Sequence, residues 1–260
     1  MADEQGQIMK NYVISLSTAT DRREHIKTEF GKQNIHFEFF DAVTPNDIEH
    51  ISTQLNIPLV NNQRLSLGEK ACFLSHVCLW QKMIDDDLEY VAIFEDDVYL
   101  GENAIAFLKD DWLSFPFDII KLETWHELVH LSKPAIYHQG RTLHPLKSTH
   151  VGACGYVLHR LGATKLLDFI RQLDEQERYA IDHVLFGAFL TQGTVYQLNP
   201  ALCKQPDSDT HLVSQLEQER KNNTFIYQPN DTLSTKIHKF FKRLYRSFGK
   251  RFFYMKVPFC

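Results

Sequence analysis

The sequence predicts an α/β protein with a parallel sheet, and two stretches carry that prediction. Residues 11–16 and 36–40 have the composition of strands and flank a segment expected to be helical from about residue 22 to 32. Two strands joined by one helix form a βαβ unit, whose strands run parallel. Residues 90–94 form a short apolar run with charged residues on both sides, which is typical of a buried strand.

Length and composition limit the classes of protein to which this chain can belong. The 260 residues, 43% hydrophobic and 23% charged, suit one large or two small globular domains, and no apolar run is long enough to span a membrane. Residues 1–8 lack the basic start and apolar core of a signal peptide, so we interpret them as a loose tail or an added extension. The five cysteines are widely spaced, which argues against a disulfide framework and favours a reducing compartment.

The first strand, the polar loop after it and the next helix form a candidate anion site. Helix N-termini bind phosphates, so Arg22 or Arg23 is a candidate for gripping a phosphate or a nucleobase. Ordinary surface pairing with glutamate is the alternative. Asp41 follows the second strand, near the place where α/β folds hold a ribose hydroxyl. The chain has no Gly-x-Gly-x-x-Gly motif, which disfavours a dinucleotide-dependent dehydrogenase.

A strongly apolar helix is expected from Ser66 to about residue 84. Ser66 and Glu69 have the spacing of a capping box at its start. His76 lies in the middle of this helix, where it is either a hydrogen-bonded core residue or a functional group.

Three consecutive carboxylates, Glu95, Asp96 and Asp97, end the strand at residues 90–94. Ligands collect at the carboxyl ends of strands in open α/β sheets, and adjacent acids repel one another unless a cation joins them. Hard oxygen ligands there predict Mg²⁺ or Mn²⁺, shared with a substrate phosphate. A solvated acidic turn is the alternative interpretation.

The second half continues the α/β pattern. Residues 123–150 are expected to be irregular, and they have the length of a mobile loop over the site. We expect the following elements: a helix near 102–111, strands at 117–122, 150–158 and 193–198, and helices at 160–173 and from 179. Gly152 and Gly155 would let a ligand approach the backbone closely. Asp182 opens the last of these helices, either as a partner of the helix dipole or as a catalytic base.

The C-terminal region is basic, whereas the rest of the chain is acidic. After Asp231 there is no acidic residue, although the net charge of the whole chain is −5. We expect a linker at 215–235 and a tail at 236–260, whose residues 236–252 would form an amphipathic helix with an aromatic face and a basic face. That pattern predicts binding to an anionic membrane surface. Packing of this helix on the protein body is a second interpretation. A third, a nucleic-acid-binding arm, is disfavoured because such an arm needs fewer aromatic residues.

Several motifs in this order resemble glycosyltransferase family 25, the bacterial lipooligosaccharide galactosyltransferases, over about residues 11–210. The motifs are Val13-Ile-Ser-Leu with Asp21-Arg-Arg, Phe39-Phe-Asp-Ala-Val, Leu67-Gly-Glu, Cys72-Phe-Leu-Ser-His with Trp80, Ile93-Phe-Glu-Asp-Asp-Val, Gly155-Tyr-Val, and Asp182. Lys70-Ala71 departs from the Ile-Gly that the family often shows.

The resemblance implies a single Rossmann-like nucleotide-sugar transferase domain of the A type, placed at residues 9–214. It implies an inverting hexosyltransferase with UDP-galactose or UDP-glucose as donor and a sugar on a lipid-linked oligosaccharide as acceptor. Such an enzyme would be cytoplasmic and peripheral on the inner face of the cytoplasmic membrane, with no nucleic-acid partner.

The resemblance also implies roles for named residues. Asp97, with Asp96 or Glu95, would hold Mn²⁺ or Mg²⁺ against the diphosphate, and His211 or Asp209 would complete the metal shell. Asp182 would be the catalytic base. The following residues would line the donor pocket: Arg22, Asp41, Glu69, His76, Glu95 and Asp96.

Two other classes of protein remain open at this point. One is a catalytically inactive membrane-surface binding protein of the same fold. The other is a phosphatase or nucleotidyltransferase that uses the same acids with a metal ion.

Overall fold

The computed structural model describes residues 9–125, 127–206 and 254–260. Its helices are α1 Thr20–Gly31, α2 Ile48–Gln54, α3 Leu67–Asp85, α4 Arg160–Gln172 and α5 Ile181–Leu185. Its strands are β1 Lys10–Ser15, β2 Glu38–Asp41, β3 Tyr90–Glu95, β4 Tyr99–Leu100, β5 Ile119–Lys121, β6 Val129–His130, β7 Ile136–His138, β8 Arg141–Pro145, β9 Gly155–His159, β10 Val195–Asn199, β11 Cys203–Lys204 and β12 Tyr254–Met255.

A mixed eight-stranded sheet forms the centre of the fold, in the order β2-β1-β3-β9-β5-β10-β8-β7. Strand β1 is parallel to both β2 and β3, which confirms the predicted βαβ unit. Strand β9 is antiparallel to β3 on one side and to β5 on the other, and β10 is parallel to β5. Strands β1, β2, β3, β5 and β10 therefore run in one direction, and their carboxyl ends meet at one edge of the sheet.

The sheet separates two apolar layers, as the alternation along β3 requires. Val91 and Ile93 pack into the layer that contains α3 and α4, whereas Ala92 and Phe94 pack into the layer that contains α1. Helix α3 is buried along much of its length, which agrees with its apolar sequence. These two layers hold the strand that carries the acidic triplet in a fixed position.

The predicted capping box of α3 is present. Ser66 Oγ accepts a hydrogen bond from the backbone N–H of Glu69 at 3.1 Å, and the Glu69 carboxylate accepts one from Ser66 N–H at 2.9 Å. A cap of this kind stabilises a helix by about 1 kcal/mol.

The helix predicted near 102–111 is wrong. Only Ala104–Ala106 forms a single 3₁₀ turn, preceded by Asn103 with a left-handed φ of 55°. The Gln33 side chain bonds both to Ala104 N–H and to the Gly101 carbonyl, at 2.7 and 2.8 Å. Tertiary contacts therefore satisfy the backbone of this segment in place of helical hydrogen bonds.

The segment predicted to be irregular contains strands. Residues 127–150 hold β6 and the hairpin β7–β8, and β8 pairs with β10 at the edge of the central sheet. The hairpin turns at Gln139 and Gly140, whose φ values are 45° and 79°. Two consecutive positive φ angles are typical of a type I′ hairpin turn. Much of this segment is therefore part of the scaffold.

The predicted linker at 215–235, the helix at 236–252 and His211 lie outside the described residues. Residues 254–260 are described, and they pack against the body: β12 pairs with β6, and Val257 is buried. No helix in the described ranges is long and apolar enough to cross a membrane.

Candidate active site

The acids that follow β3 lie at the edge where the carboxyl ends of the parallel strands meet. Asp96 is buried there and joins two elements. It accepts a hydrogen bond from Ser15 Oγ of β1 at 2.8 Å and one from Arg22 Nη1 of α1 at 2.7 Å. The structure therefore brings together two residues that the sequence assigned to the donor site, and each oxygen of Asp96 already has a partner.

Asp97, which is also buried, differs from Asp96 in that no cationic side chain among the described residues pairs with it. It is only 4% exposed, and its Oδ1 has no hydrogen-bond partner in the part of the chain that the structure describes. Burial, reinforced by the negative charges of Glu95, Asp96 and Glu123, raises its pKa to about 8, although Arg22 acts in the opposite direction. A buried carboxylate without a partner is costly unless a cation joins it.

A second buried acid, Glu123, was not predicted from the sequence. It follows β5 and is fully buried. Its Oε2 accepts a hydrogen bond from Cys154 N–H at 2.9 Å and lies 3.4 Å from Lys121 Nζ, whereas Oε1 has no partner. Burial raises the pKa of Glu123 to about 7 despite the charge of Lys121. Its position just after a strand is the same sequence signal that identified Glu95.

These acids suit a hard divalent cation. Asp97 Oδ1 and Glu123 Oε1 are both buried without a hydrogen-bond partner, and Mg²⁺ and Mn²⁺ prefer carboxylate oxygens. Asp97 therefore fits its predicted role, Glu123 is an additional candidate, and Asp96 has both oxygens engaged by protein groups. His211 and Asp209, the candidates for completing the metal shell, lie outside the described residues.

His76 lies beneath Glu95 and is completely buried. Trp80 Nε1 donates to the Tyr156 hydroxyl at 2.8 Å, and that hydroxyl lies 2.9 Å from His76 Nδ1. The indole N–H can only donate, so the hydroxyl accepts from it. Among the described residues Nδ1 is the one acceptor within reach of the Tyr156 hydroxyl proton, so we infer that the hydroxyl donates a hydrogen bond to Nδ1. This assignment places the imidazole proton on Nε2, which faces Glu95 Oε1 at 3.4 Å. His76 therefore supports Glu95 from below, and its role in the donor pocket stays a prediction.

The protonation of His76 also decides whether a nearby group of three side chains can bind a metal ion. This is the one such group found within the described ranges. Ligand atoms of Cys72, His76 and Glu95 lie within 4.8 Å of one another. With a proton on Nε2, His76 presents no lone pair to that group. We therefore assign these contacts to the positioning of Glu95, whose other oxygen, Oε2, accepts from Gln205 Nε2 at 3.0 Å.

Asp182 is half-buried in the first turn of α5, as predicted. Its Oδ2 accepts from Gly152 N–H at 3.0 Å, and its Oδ1 accepts from His183 N–H at 2.8 Å. Lys121 holds the same loop by donating to the carbonyls of Val151 and Gly152. Because Lys121 also contacts Glu123, the loop connects Asp182 to the buried acids.

The two glycines before and in β9 were expected to admit a ligand, and this prediction is wrong. Gly152 has a φ of +86°, and a methyl group there would overlap the Glu123 carboxylate. At Gly155 a methyl group would overlap Cys203 Sγ. Both glycines are therefore required by internal packing around the acids.

Asp41 and Glu69 lie on different sides of the site. Asp41 is exposed at the end of β2, in register with Ser15, and forms an ion pair with Arg23. Glu69 instead lines a cleft of about 770 Å³ between the start of α3 and α5. The structure therefore places Asp41 with Arg22 and Asp96 at the sheet edge, and Glu69 on the side of Asp182.

Comparison with known proteins adds an independent line of evidence. The family model described as Glycosyltransferase family 25 (LPS biosynthesis protein) matches residues 8–185. The lipooligosaccharide biosynthesis protein lic2B of Haemophilus influenzae is 40% identical over 253 residues, which cover 91% of this chain and 94% of that protein. The lacto-N-neotetraose biosynthesis glycosyltransferase LgtB of Neisseria meningitidis serogroup B is 37% identical over 254 residues, covering 91% and 92%. LgtE of Neisseria gonorrhoeae, described in the same terms, is 38% identical over 231 residues, covering 82% of each chain.

Proposed function

The chain belongs to glycosyltransferase family 25, and we propose that it transfers galactose or glucose from a UDP-sugar to a sugar of lipooligosaccharide, with inversion at the anomeric carbon. The observation that carries the proposal is the buried, unpartnered oxygen of Asp97 at the edge where the parallel strands end. A cation would stabilise such a carboxylate, and a nucleotide diphosphate brings one with it.

The buried acids provide the metal site of this proposal. Asp97 and Glu123 would hold Mn²⁺ or Mg²⁺ through the oxygens that have no partner among the described residues. The bound cation would offset the negative charge that develops on the departing UDP. Glu95 would face the nucleotide, held by Gln205 from the side and by His76 from below.

The residues at the ends of β1 and β2 would bind the donor nucleotide. Arg22, fixed by Asp96, presents a cation beside the acids and can balance phosphate charge. Asp41, at the end of β2, is placed to accept from a ribose hydroxyl, as in other α/β nucleotide sites. Its ion pair with Arg23 holds it at that edge.

Asp182 is the proposed general base. An inverting transfer needs one carboxylate that takes the proton of the acceptor hydroxyl as the oxygen attacks the face opposite UDP. The N–H groups of Gly152 and His183 fix the Asp182 carboxylate. Each of its oxygens retains a second lone pair with which it can accept that proton.

The names of the relatives support a proposal about the acceptor, and the sequence of residues 236–252 supports one about the site of action. Their names place them in the biosynthesis of lipooligosaccharide or lacto-N-neotetraose, which supports a lipid-linked oligosaccharide acceptor for this chain. We further propose that residues 236–252 hold the enzyme on the anionic inner face of the cytoplasmic membrane. Replacing the basic residues of 236–252 by glutamine should reduce sedimentation with phosphatidylglycerol vesicles. Equal sedimentation of both proteins would contradict this anchor.

Transfer assays with Asp97→Ala test the proposed function. Wild-type protein should move radiolabelled hexose from UDP-galactose or UDP-glucose to lipooligosaccharide in the presence of Mn²⁺, releasing UDP. Asp97→Ala should abolish transfer, whereas Asp111→Ala, at an exposed acid outside the site, should not change it. Full activity of Asp97→Ala would refute the proposal. UMP or pyrophosphate as product would favour a nucleotidyltransferase, and donor binding without turnover would favour an inactive binding protein.

A further inference from the structure

We infer that the cleft between the start of α3 and α5 is the acceptor subsite, in which Tyr179 provides an aromatic surface for a neutral hexose ring. This inference rests on the proposed function and deepens it, because it names the residues that would select the acceptor. The cleft has a volume of about 770 Å³. That volume lies within the range of small-molecule sites in proteins, ~300–1,000 Å³.

The cleft borders the proposed chemistry on both of its walls. On one wall, its lining residues Ala180 and His183 flank Asp182 in the chain. On the other wall, Glu69 precedes Cys72 by about one helical turn of α3, and Cys72 Sγ lies 3.9 Å from Glu95 Oε1. A sugar in this cleft would therefore lie close to the helix that carries the proposed base and to the helix whose Cys72 contacts Glu95.

Arg64 fixes the orientation of the Tyr179 side chain in the cleft, yet the side chain stays exposed to solvent. The Arg64 guanidinium lies over the Tyr179 ring at 5.0 Å from its centroid and also donates to the Tyr179 hydroxyl. Tyr179 nevertheless remains 46% exposed and lines the cleft. A large aromatic residue that lines a cleft, is this exposed and is fixed in orientation is suited to packing against the C–H face of a sugar.

The charges in the cleft favour a neutral ligand rich in hydroxyl groups. Among the described residues, its charged lining consists of Arg64 and Glu69, beside the ionisable His183. A diphosphate would need an excess of positive charge, as Arg22 and a metal ion provide on the donor side. Side chains of both signs can instead accept from and donate to sugar hydroxyls at the same time. This separates the acceptor cleft from the nucleotide site.

The test compares acceptor and donor parameters in Tyr179→Ala. With methyl β-glycosides of glucose, galactose and N-acetylglucosamine as acceptors, this variant should raise the acceptor KM on the order of tenfold. The donor KM and the metal-dependent binding of UDP should stay unchanged. Tyr179→Phe, which retains the ring, should keep most of the acceptor affinity. Tyr137→Ala removes a 74% exposed tyrosine on the β7–β8 hairpin and serves as the matched control.

The outcomes separate this inference from the proposed function. An unchanged acceptor KM in Tyr179→Ala, with transfer intact, would overturn the acceptor subsite alone. Absence of transfer by wild-type protein to lipooligosaccharide would overturn the proposed function. In that case calorimetric titration of the same glycosides still tests the cleft: weaker binding to Tyr179→Ala than to wild type would support it, and equal binding would overturn it.

Discussion

Replacing Asp97 by asparagine should stabilise the metal-free protein at alkaline pH. Below about pH 4 the carboxyl group is neutral in both the folded and the unfolded state. Between its ordinary pKa of 3.8 and the folded value of about 8, the unfolded chain releases the proton that the folded chain retains. Stability therefore falls as pH rises through this window and stays low above it. Asparagine has no such proton, so the variant should lack this part of the pH dependence.

The structure sets the size of this effect. At about 1.4 kcal/mol for each pH unit between the two pKa values, ionised Asp97 costs ~6 kcal/mol above pH 8. That figure is an upper limit, because neighbouring groups and water relax around a buried charge. We expect the unfolding free energy of Asp97→Asn at pH 8.5 to exceed that of wild type by at least ~2 kcal/mol.

Urea unfolding at pH 5 and pH 8.5, in the presence of chelator, measures the effect. The gain in unfolding free energy of Asp97→Asn over wild type should grow between these two pH values. Asp111→Asn removes an exposed acid and should behave like wild type. Mn²⁺ at about 100 times its dissociation constant should stabilise wild type by ~2.7 kcal/mol and Asp97→Asn by less. An identical pH dependence in wild type and Asp97→Asn would refute the reasoning about this buried acid.

Three further predictions follow from contacts around the site. His76→Phe should lower kcat, because Glu95 loses the N–H that faces it; unchanged transfer kinetics would contradict a positioning role. Gly152→Ala should cost ~1–3 kcal/mol in urea unfolding and reduce transfer, because its φ is left-handed and the added methyl group meets Glu123. Ser66→Ala should lower the unfolding free energy by ~1 kcal/mol through loss of the capping box, and an unchanged urea midpoint would contradict that contribution.

Local sequence patterns predicted the elements whose conformation is determined by residues close together in the chain. The capping box at Ser66 and the apolar strand at 90–94 each carry their own signal, and both are present. The failed helix near 102–111 shows the limit, because the Gln33 side chain and burial of Phe107 and Trp112 decide its conformation. Those contacts come from residues that are distant in the chain.

Local sequence patterns also could not predict the direction of β9. A strand of five residues has the same composition whichever way it runs, and only its insertion between β3 and β5 makes the sheet mixed. The hairpin β7–β8, in contrast, carries a local signal, Gln139-Gly140, that fits a two-residue turn.

In the candidate site, too, local sequence signals predicted some features, whereas packing between distant residues decides others. The acids after β3 were predicted from their position at a strand end, and the structure adds that Asp96 is occupied by Ser15 and Arg22 whereas Asp97 is not. Which acid of a triplet is left without a partner depends on how the strand is packed. Glu123 had the same strand-end signal but no neighbouring acids to draw attention to it.

His76 shows why residue type alone does not assign a role. The apolar helix left His76 as either a hydrogen-bonded core residue or a functional group, and the family resemblance assigned it to the donor pocket. Its burial and its bond to Tyr156 give it a position that supports Glu95. The Trp80 indole, which fixes the tautomer through Tyr156, lies one helical turn further along α3. Only the fold brings Tyr156 of β9 to that face.

Calorimetric titration of UDP-galactose, with Mn²⁺ and with chelator, tests the central claim most directly: the acids after β3 hold a metal ion against a nucleotide diphosphate. The account predicts binding that requires Mn²⁺, that UDP alone reproduces, and that Asp97→Asn removes. Equal binding of UDP-galactose to wild type in chelator, or undiminished Mn²⁺-dependent binding to Asp97→Asn, would contradict the claim that Asp97 holds the metal in this site.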